Sequence, residues 1–280
     1  MTTLYMLTSQ SKVQMMSFII ISNDHLIVID GGNTCDAEYL CTYIKKLGGK
    51  VDAWFLTHPH SDHIGALRST LERFYDDIRI DTIYANFPPL DFINSSGDPD
   101  TKSDSVEKLY AMLYERGRSI TTVHKGDTFE FGPDMKLTVL REPDLSLTEN
   151  RINNASVVYR LDTCPQNKGG RSVIFLGDLG KEGGEHLLNG TPKELLKADY
   201  VQTAHHGQQG VGKEVYDAID PDYCLWCTPD WLWDNNAGRG YDTGPWKTIV
   251  TRGWLSDLGI RWHYVSKDGT HEVPLDFDDH

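Results

Sequence analysis

Residues Thr57 to Gly65, "THPHSDHIG", hold three histidines and an aspartate within six positions: His58, His60, Asp62 and His63. The segment follows the apolar run Ala53–Leu56 and precedes a stretch in which Ile64, Leu67, Leu71 and Phe74 recur at helical spacing. Alternate side chains of an extended segment share a face, so His58 and His60 point the same way. Asp62 and His63 come after the chain has turned into the helix and can face a second point nearby. One strand-to-helix junction can therefore serve two adjacent metal sites. Imidazoles with a carboxylate suit divalent ions, zinc first, with manganese or iron as alternatives. Such an ion lowers the pKa of a bound water from about 16 toward roughly 7, which makes a hydroxide nucleophile available at neutral pH. A polar loop explains most pairs of histidines, but not this spacing at this junction.

The elements that must position these residues are readable on either side. "MMSFIIIS" and "HLIVIDGG" read as two strands joined by a turn at Ser22–Asp24, and Asp36–Gly48 reads as a helix with a glycine stop. "DAWFLT" is a short strand, apolar enough to be buried on both faces. A helix starts at about Ser61. Further strands are "DTIYAN", "KGDTFEFG", "MKLTVLRE", "ASVVYRLD" and "RSVIFLGDLG". A helix at Pro192–Lys197 then leads to "DYVQTA", which runs into "HHGQQG". Another helix, Lys213–Ile219, precedes "DYCLWCT", the helix "WKTIVTRGWLSDLG", and the strands "RWHYVS" and "DGTHEVPL". Strand-rich halves with helices in each imply sheets covered by helices. The Pro-, Gly-, Ser- and Asp-rich stretch Asn86–Ser105 reads as a mobile surface insertion.

"THPHSDHIGAL" resembles the signature of the metallo-β-lactamase superfamily of binuclear metal hydrolases, and the resemblance extends over nearly the whole chain. "LIVIDGG" is similar to the family motif whose aspartate, here Asp30, stands behind the metal ligands and orients them. "VIFLGDLG" is similar to the motif that supplies a bridging carboxylate, here Asp178. "ADYVQTAHHGQQG" resembles the last histidine motif. The resemblance implies one metal on His58 and His60, a second on Asp62, His63 and His205, and Asp178 between them. His205 is the expected ligand because it directly ends its strand. Its neighbour His206 is then placed to contact a substrate anion or protonate a leaving group, and Asp62 to hold and orient the hydroxide. The family's remaining histidine has no counterpart between the first cluster and Asp178; Asn153 or Asn154 fills the position, a weaker ligand than imidazole. "NNAS" and "HHG" both resemble the branch that contains the hydrolase domain of bacterial DNA-uptake (competence) proteins. The implied fold is an α/β (α+β) four-layer αββα sandwich, two mixed β-sheets with helices outside, spanning residues 1–280 as a single metallo-β-lactamase-like domain.

The remaining sequence constrains partners. A formal charge of −14 over 280 residues argues against a broad surface for long nucleic acid or an anionic membrane. The start of the chain lacks a basic, apolar leader, and five cysteines without framework spacing fit a reducing compartment, so the expected location is the cytoplasm. Cys224 and Cys227, three apart on a strand, face opposite sides, which disfavours a metal or redox pair. Six of the seven tryptophans lie from Trp226 onward, and Trp231, Trp233, Tyr241 and Trp246 could form a stacking wall or pack in the core. Arg239, Lys247 and Arg252 lie nearest that segment. The function expected is metal-dependent hydrolysis, first of a phosphodiester or other phosphate ester on a small or headgroup-sized anionic substrate. The alternatives are hydrolysis of a carboxylic ester, thioester or lactone, or a non-catalytic metal-binding sensor of the same fold.

Overall fold

The computed structural model describes residues 1–97, 103–164 and 169–276. In chain order its strands are β1 (Thr2–Met6), β2 (Ser17–Ser22), β3 (His25–Asp30), β4 (Lys50–Phe55), β5 (Arg79–Ala85), β6 (Ile120–Thr122) and β7 (Thr128–Phe131). There follow β8 (Met135–Arg141), β9 (Val158–Thr163), β10 (Ser172–Phe175), β11 (Tyr200–Gln202), β12 (Tyr223–Trp226), β13 (Trp262–Val265) and β14 (His271–Pro274). They form two seven-stranded sheets, ordered β14-β1-β2-β3-β4-β5-β6 and β13-β12-β11-β10-β9-β8-β7. Each sheet is mixed: β3 to β6 run parallel in the first and β10 to β13 in the second, while the other pairings are antiparallel.

Strand periodicity explains why two sheets are needed. Along β2 and β3, Phe18, Ile20, Ile27 and Ile29 point into the core between the sheets, whereas Ile19, Leu26 and Val28 point outward against helices. The second sheet does the same, with Val173 and Phe175 inward and Ile174 outward. Strands apolar on both faces must be covered on both. The helices α1 (Ala37–Lys46), α2 (Ser61–Arg73), α3 (Leu90–Ser95), α4 (Ser103–Glu115), α5 (Lys181–Gly190), α6 (Lys193–Leu196), α7 (Lys213–Ile219), α8 (Asp230–Trp233) and α9 (Thr248–Asp257) supply that cover. Leu40, Ile64, Leu67 and Leu109 cover the first sheet; Leu187, Val215, Ile219 and Leu255 cover the second. The layers are therefore αββα. No helix among the described residues is long and apolar enough to cross a membrane.

β1, β6, α3, α4, α5 and α8 are elements that the sequence reading does not anticipate. The stretch Asn86–Ser105 is not a plain insertion: it contains α3, whose Ile93 is buried with Val106 and Ile152, and residues 98–102 lie outside the described residues. Cys224 and Cys227 do face opposite sides, one in the outer core of the second sheet and one between the sheets, and all the cysteines are free.

Candidate metal centre

The carboxyl ends of the parallel strands in the two sheets meet at one edge, where crevices for ligands form in α/β sheets. β3 delivers Asp30 there, the turn after β4 delivers His58 and His60, and the first turn of α2 delivers Asp62 and His63. From the second sheet come Asp178 after β10 and the pair His205 and His206 after β11.

Asp30 sits behind the histidines. It is fully buried with φ +53, and its carboxylate accepts the Thr57 amide at 2.8 Å, the Thr57 hydroxyl at 2.7 Å and His63 Nδ1 at 2.7 Å. The Thr57 hydroxyl also lies 3.1 Å from His58 Nδ1 and can accept its proton. His206 Nδ1 lies 2.9 Å from the Cys227 carbonyl and donates to it. In each of these three histidines the rear nitrogen is engaged, which turns Nε2 forward. All three Nε2 atoms converge on Asp178 Oδ2, at 3.8 Å from His58, 3.3 Å from His63 and 3.3 Å from His206. His206 Nε2 is also 3.1 Å from Asp62 Oδ2, and His58 Nε2 is 2.9 Å from His60 Nδ1.

These side chains form two groups able to hold a metal ion, one of His58, His60 and Asp178, the other of Asp62, His63, Asp178 and His206. Asp178 belongs to both. Four buried atoms at this edge, His63 Nε2, His206 Nε2, Asp178 Oδ1 and Asn153 Oδ1, make no hydrogen bond among the described residues. Buried polar atoms ordinarily find partners. Soft-edged imidazole nitrogens and carboxylate oxygens converging without partners are the donor set that a zinc-like cation takes.

Electrostatics agree with that fit. Burial pushes His58 well below the usual histidine range, with His63 and His60 reinforcing the shift, so it is neutral and ready to ligate. Burial opposes the charge on His63 and His206, yet the surrounding carboxylates win: Asp178, Asp30 and Asp62 hold His63 well above the ordinary value, and Asp178 with Asp62 raises His206 to about 9. Burial likewise works against ionisation of Asp62 and Asp178, but the adjacent histidines keep both carboxyls below the normal carboxylate range. The centre is a nest of opposed charges that a divalent cation can replace.

The paired histidines take different positions. His205 and His206 have φ +51 and +54, and Gly207 continues at +82. This left-handed turn carries His206 back into the cluster, fully buried, and leaves His205 at the rim with its Nε2 3.9 Å from Asp178 and 3.3 Å from Asn153 Nδ2. Gly207 tolerates no side chain, since a Cβ there would lie 2.3 Å from the Trp226 ring. The two asparagines also separate. Asn153 faces the cleft, with Nδ2 on Asn150 Oδ1 at 3.1 Å and its carbonyl oxygen unpartnered among the described residues. Asn154 turns away: its Oδ1 accepts the amides of Gly180 at 2.9 Å and Gly183 at 3.0 Å, holding the start of α5.

The cluster opens into a cleft of about 590 Å³ whose walls include Gln14, Asn33, His60, Asp62, Arg151, Asn153, His205, Trp231 and Trp246. Trp231 and Trp246 meet edge to face at 4.7 Å, and Trp231 Nε1 donates to the Lys12 carbonyl at 2.7 Å. Trp226 and Trp233 instead pack against each other in the outer core, and Tyr241 is exposed. Arg252 is spent on Trp233, bonding its carbonyl and lying over its ring at 4.0 Å. Thr57, Gln14 and Arg151 belong to the site without having been singled out from sequence. Only Thr57, embedded in the histidine motif, carried a signal.

Known proteins share these features. The family model described as the metallo-beta-lactamase superfamily matches residues 13–135, the part that carries Asp30, His58, His60, Asp62 and His63. ComE operon protein 3 of Bacillus subtilis (strain 168) is 30% identical over 186 residues, which is 66% of this chain and 21% of that protein. The chain thus spans about a fifth of that relative's length. Among solved structures, YhfI from Bacillus subtilis, a metallo-beta-lactamase fold protein, superposes with a TM-score of 0.55 at 12% identity, covering 97% of this chain and all (100%) of that one. A diphosphatase from the PhnP family superposes with a TM-score of 0.52 at 14% identity, covering 99% and 100%. With the αββα layers and the converging His/Asp cluster, the chain has the metallo-β-lactamase fold, and its residues 13–135 match the model of that superfamily.

Proposed function

We propose that this protein is a binuclear, zinc-dependent hydrolase of phosphate esters, acting on a phosphodiester of small or headgroup size. The observation that carries the reading is the convergence of four buried atoms that make no hydrogen bond among the described residues on an aspartate common to two ligand groups. His58, His60 and Asp178, with the Asn153 amide oxygen at the edge, would hold one ion; Asp62, His63, Asp178 and His206 would hold the other. The cations would supply a nucleophile at neutral pH and charge to stabilise the oxyanion that develops on phosphorus.

The protein's own groups divide the remaining work. Asp62, kept ionised beside His63 and His206, is placed to accept a hydrogen bond from an incoming water and orient it. His205, neutral and facing the cleft beside Asn153, is placed to contact the substrate or its leaving group, the role first expected of His206. Trp231 and Trp246 wall the cleft against bulk water and offer apolar faces to the ester's organic part. The solved diphosphatase of the same fold makes phosphate chemistry a natural use of this scaffold. Five free cysteines support a reducing compartment such as the cytoplasm.

A substrate panel tests the reaction class. Metal-loaded protein is expected to hydrolyse bis-p-nitrophenyl phosphate faster than p-nitrophenyl acetate or a γ-lactone by at least about tenfold in kcat/KM, a difference of ~1.4 kcal/mol in transition-state binding. Preference for the carbon esters would transfer the function to carboxylic ester or lactone hydrolysis.

A further inference from the structure

Arg151 is the only lysine or arginine lining the metal cleft among the described residues. Its surroundings hold it in place. Nη1 donates to the Ser95 carbonyl at 3.0 Å, and the guanidinium lies over the Phe92 ring at 3.9 Å. Among the described residues it has no acidic partner. Arg79, Arg160, Arg171 and Arg261 each pair with an aspartate within 4 Å, whereas Arg151 pairs with none among the described residues. In a chain of formal charge −14, Arg151 is thus an arginine anchored by a carbonyl and a ring that lines a cleft holding Asp62 and Asp178 as well.

We propose that Arg151 is a specificity-determining residue that binds a second anionic group of the substrate, a carboxylate or phosphate, on the organic part beyond the ester that is cleaved. The chemistry favours this assignment. A guanidinium presents its N–H groups as a planar fork that matches a carboxylate or phosphate, and stacking on Phe92 removes much of the freedom such binding would otherwise cost. Arg239, Lys247 and Arg252, the cations nearest the tryptophan segment, do not line this cleft. The proposal rests on the phosphate-ester reading above and adds to it the substrate class: phosphate esters carrying another negative charge.

The test uses ligands that need no turnover. Calorimetry on the metal-loaded protein would compare propylphosphonate with ω-carboxyalkylphosphonates of two to four methylenes, for wild type, R151K and R151M, each with its metal content measured. Wild type is expected to bind at least one carboxylate ligand about tenfold or more tightly than propylphosphonate. R151M should bring the two ligand types to equal affinity, and R151K should retain part of the preference. A purely structural role, clamping the 142–152 loop onto α3, would weaken both ligand types alike and leave the preference in place. That result, or no preference in wild type, would overturn the assignment. Bis-p-nitrophenyl phosphate hydrolysis is followed in parallel. Preference without turnover of any phosphodiester keeps Arg151 as the anion site and removes the reaction class; turnover without preference does the reverse.

Discussion

Replacing Thr57 with valine probes how the centre is held from behind. The substitution is nearly isosteric, so it removes the hydroxyl without opening a cavity. The hydroxyl donates to Asp30 Oδ2 at 2.7 Å and faces His58 Nδ1 at 3.1 Å, both fully buried. Losing the charge-assisted bond costs about 1.5–3 kcal/mol and leaving the His58 nitrogen without an acceptor about another 1 kcal/mol, so T57V should lose roughly 2–4 kcal/mol of stability in the metal-free protein. Asp30 keeps the Thr57 amide and His63, so the carboxylate itself is not stranded. The larger effect falls on the metal. His58 loses the contact that fixes its tautomer, and partners of this kind are worth about 10–100-fold in metal affinity. Urea unfolding after chelation measures the first quantity, and competition with a chromophoric chelator measures the second. Unchanged affinity in T57V, with the fold intact, would refute the view that Thr57 aims these histidines at a metal.

Other perturbations separate the remaining roles. H206A should lose at least one bound ion, whereas H205A should keep its metal and lose kcat/KM; equal metal loss in both would restore the expectation from strand position. N153H should tighten the first site in a chelator competition, while N154A should retain metal but lower the unfolding free energy measured in urea by about 1–2 kcal/mol, because it uncaps the start of α5. G207A places a Cβ 2.3 Å from Trp226 at φ +82 and should cost about 2 kcal/mol or more in urea unfolding; a neutral result would mean that the left-handed turn relaxes freely. His206, raised to about 9 in the metal-free protein, carries a proton at pH 7 that an incoming ion must displace. Apparent metal affinity should therefore climb with pH up to about 9, while the stabilisation that protonated His206 gives the metal-free form, complete below its unfolded pKa of about 6.5, is lost as pH rises through the folded one. A chelator competition giving flat affinity from pH 7 to 9 would contradict this.

The sequence made the first sheet and its candidate ligands legible where pattern and position coincide. β2, β3, α1 and α2 announce themselves through apolar periodicity, and the histidine motif sits between two of them. Cys224 and Cys227 were readable for the same reason: alternation on a strand decides which core each enters. What stayed hidden depends on contacts between distant segments. α5 carries Gly183 and Gly184, poor helix formers, and the reason lies elsewhere in the chain: a Cβ at Gly183 would lie 2.6 Å from Asn154 Oδ1. The burial of His206 and the rim position of His205 were hidden because two non-glycine residues take left-handed φ, a choice that strand periodicity cannot express. Arg151 gave no signal because its place in the cleft and its stacking on Phe92 are properties of the folded surface.

The most direct measurement of the central claim is elemental analysis of purified wild type and D178A side by side, with bis-p-nitrophenyl phosphate turnover followed in the same samples. Asp178 belongs to both ligand groups, so the account requires about two zinc-like ions per chain and phosphodiester turnover in wild type, and loss of both in a D178A protein that still folds. A wild type that takes up no metal after reconstitution, or a D178A variant with normal metal content and turnover, would contradict it.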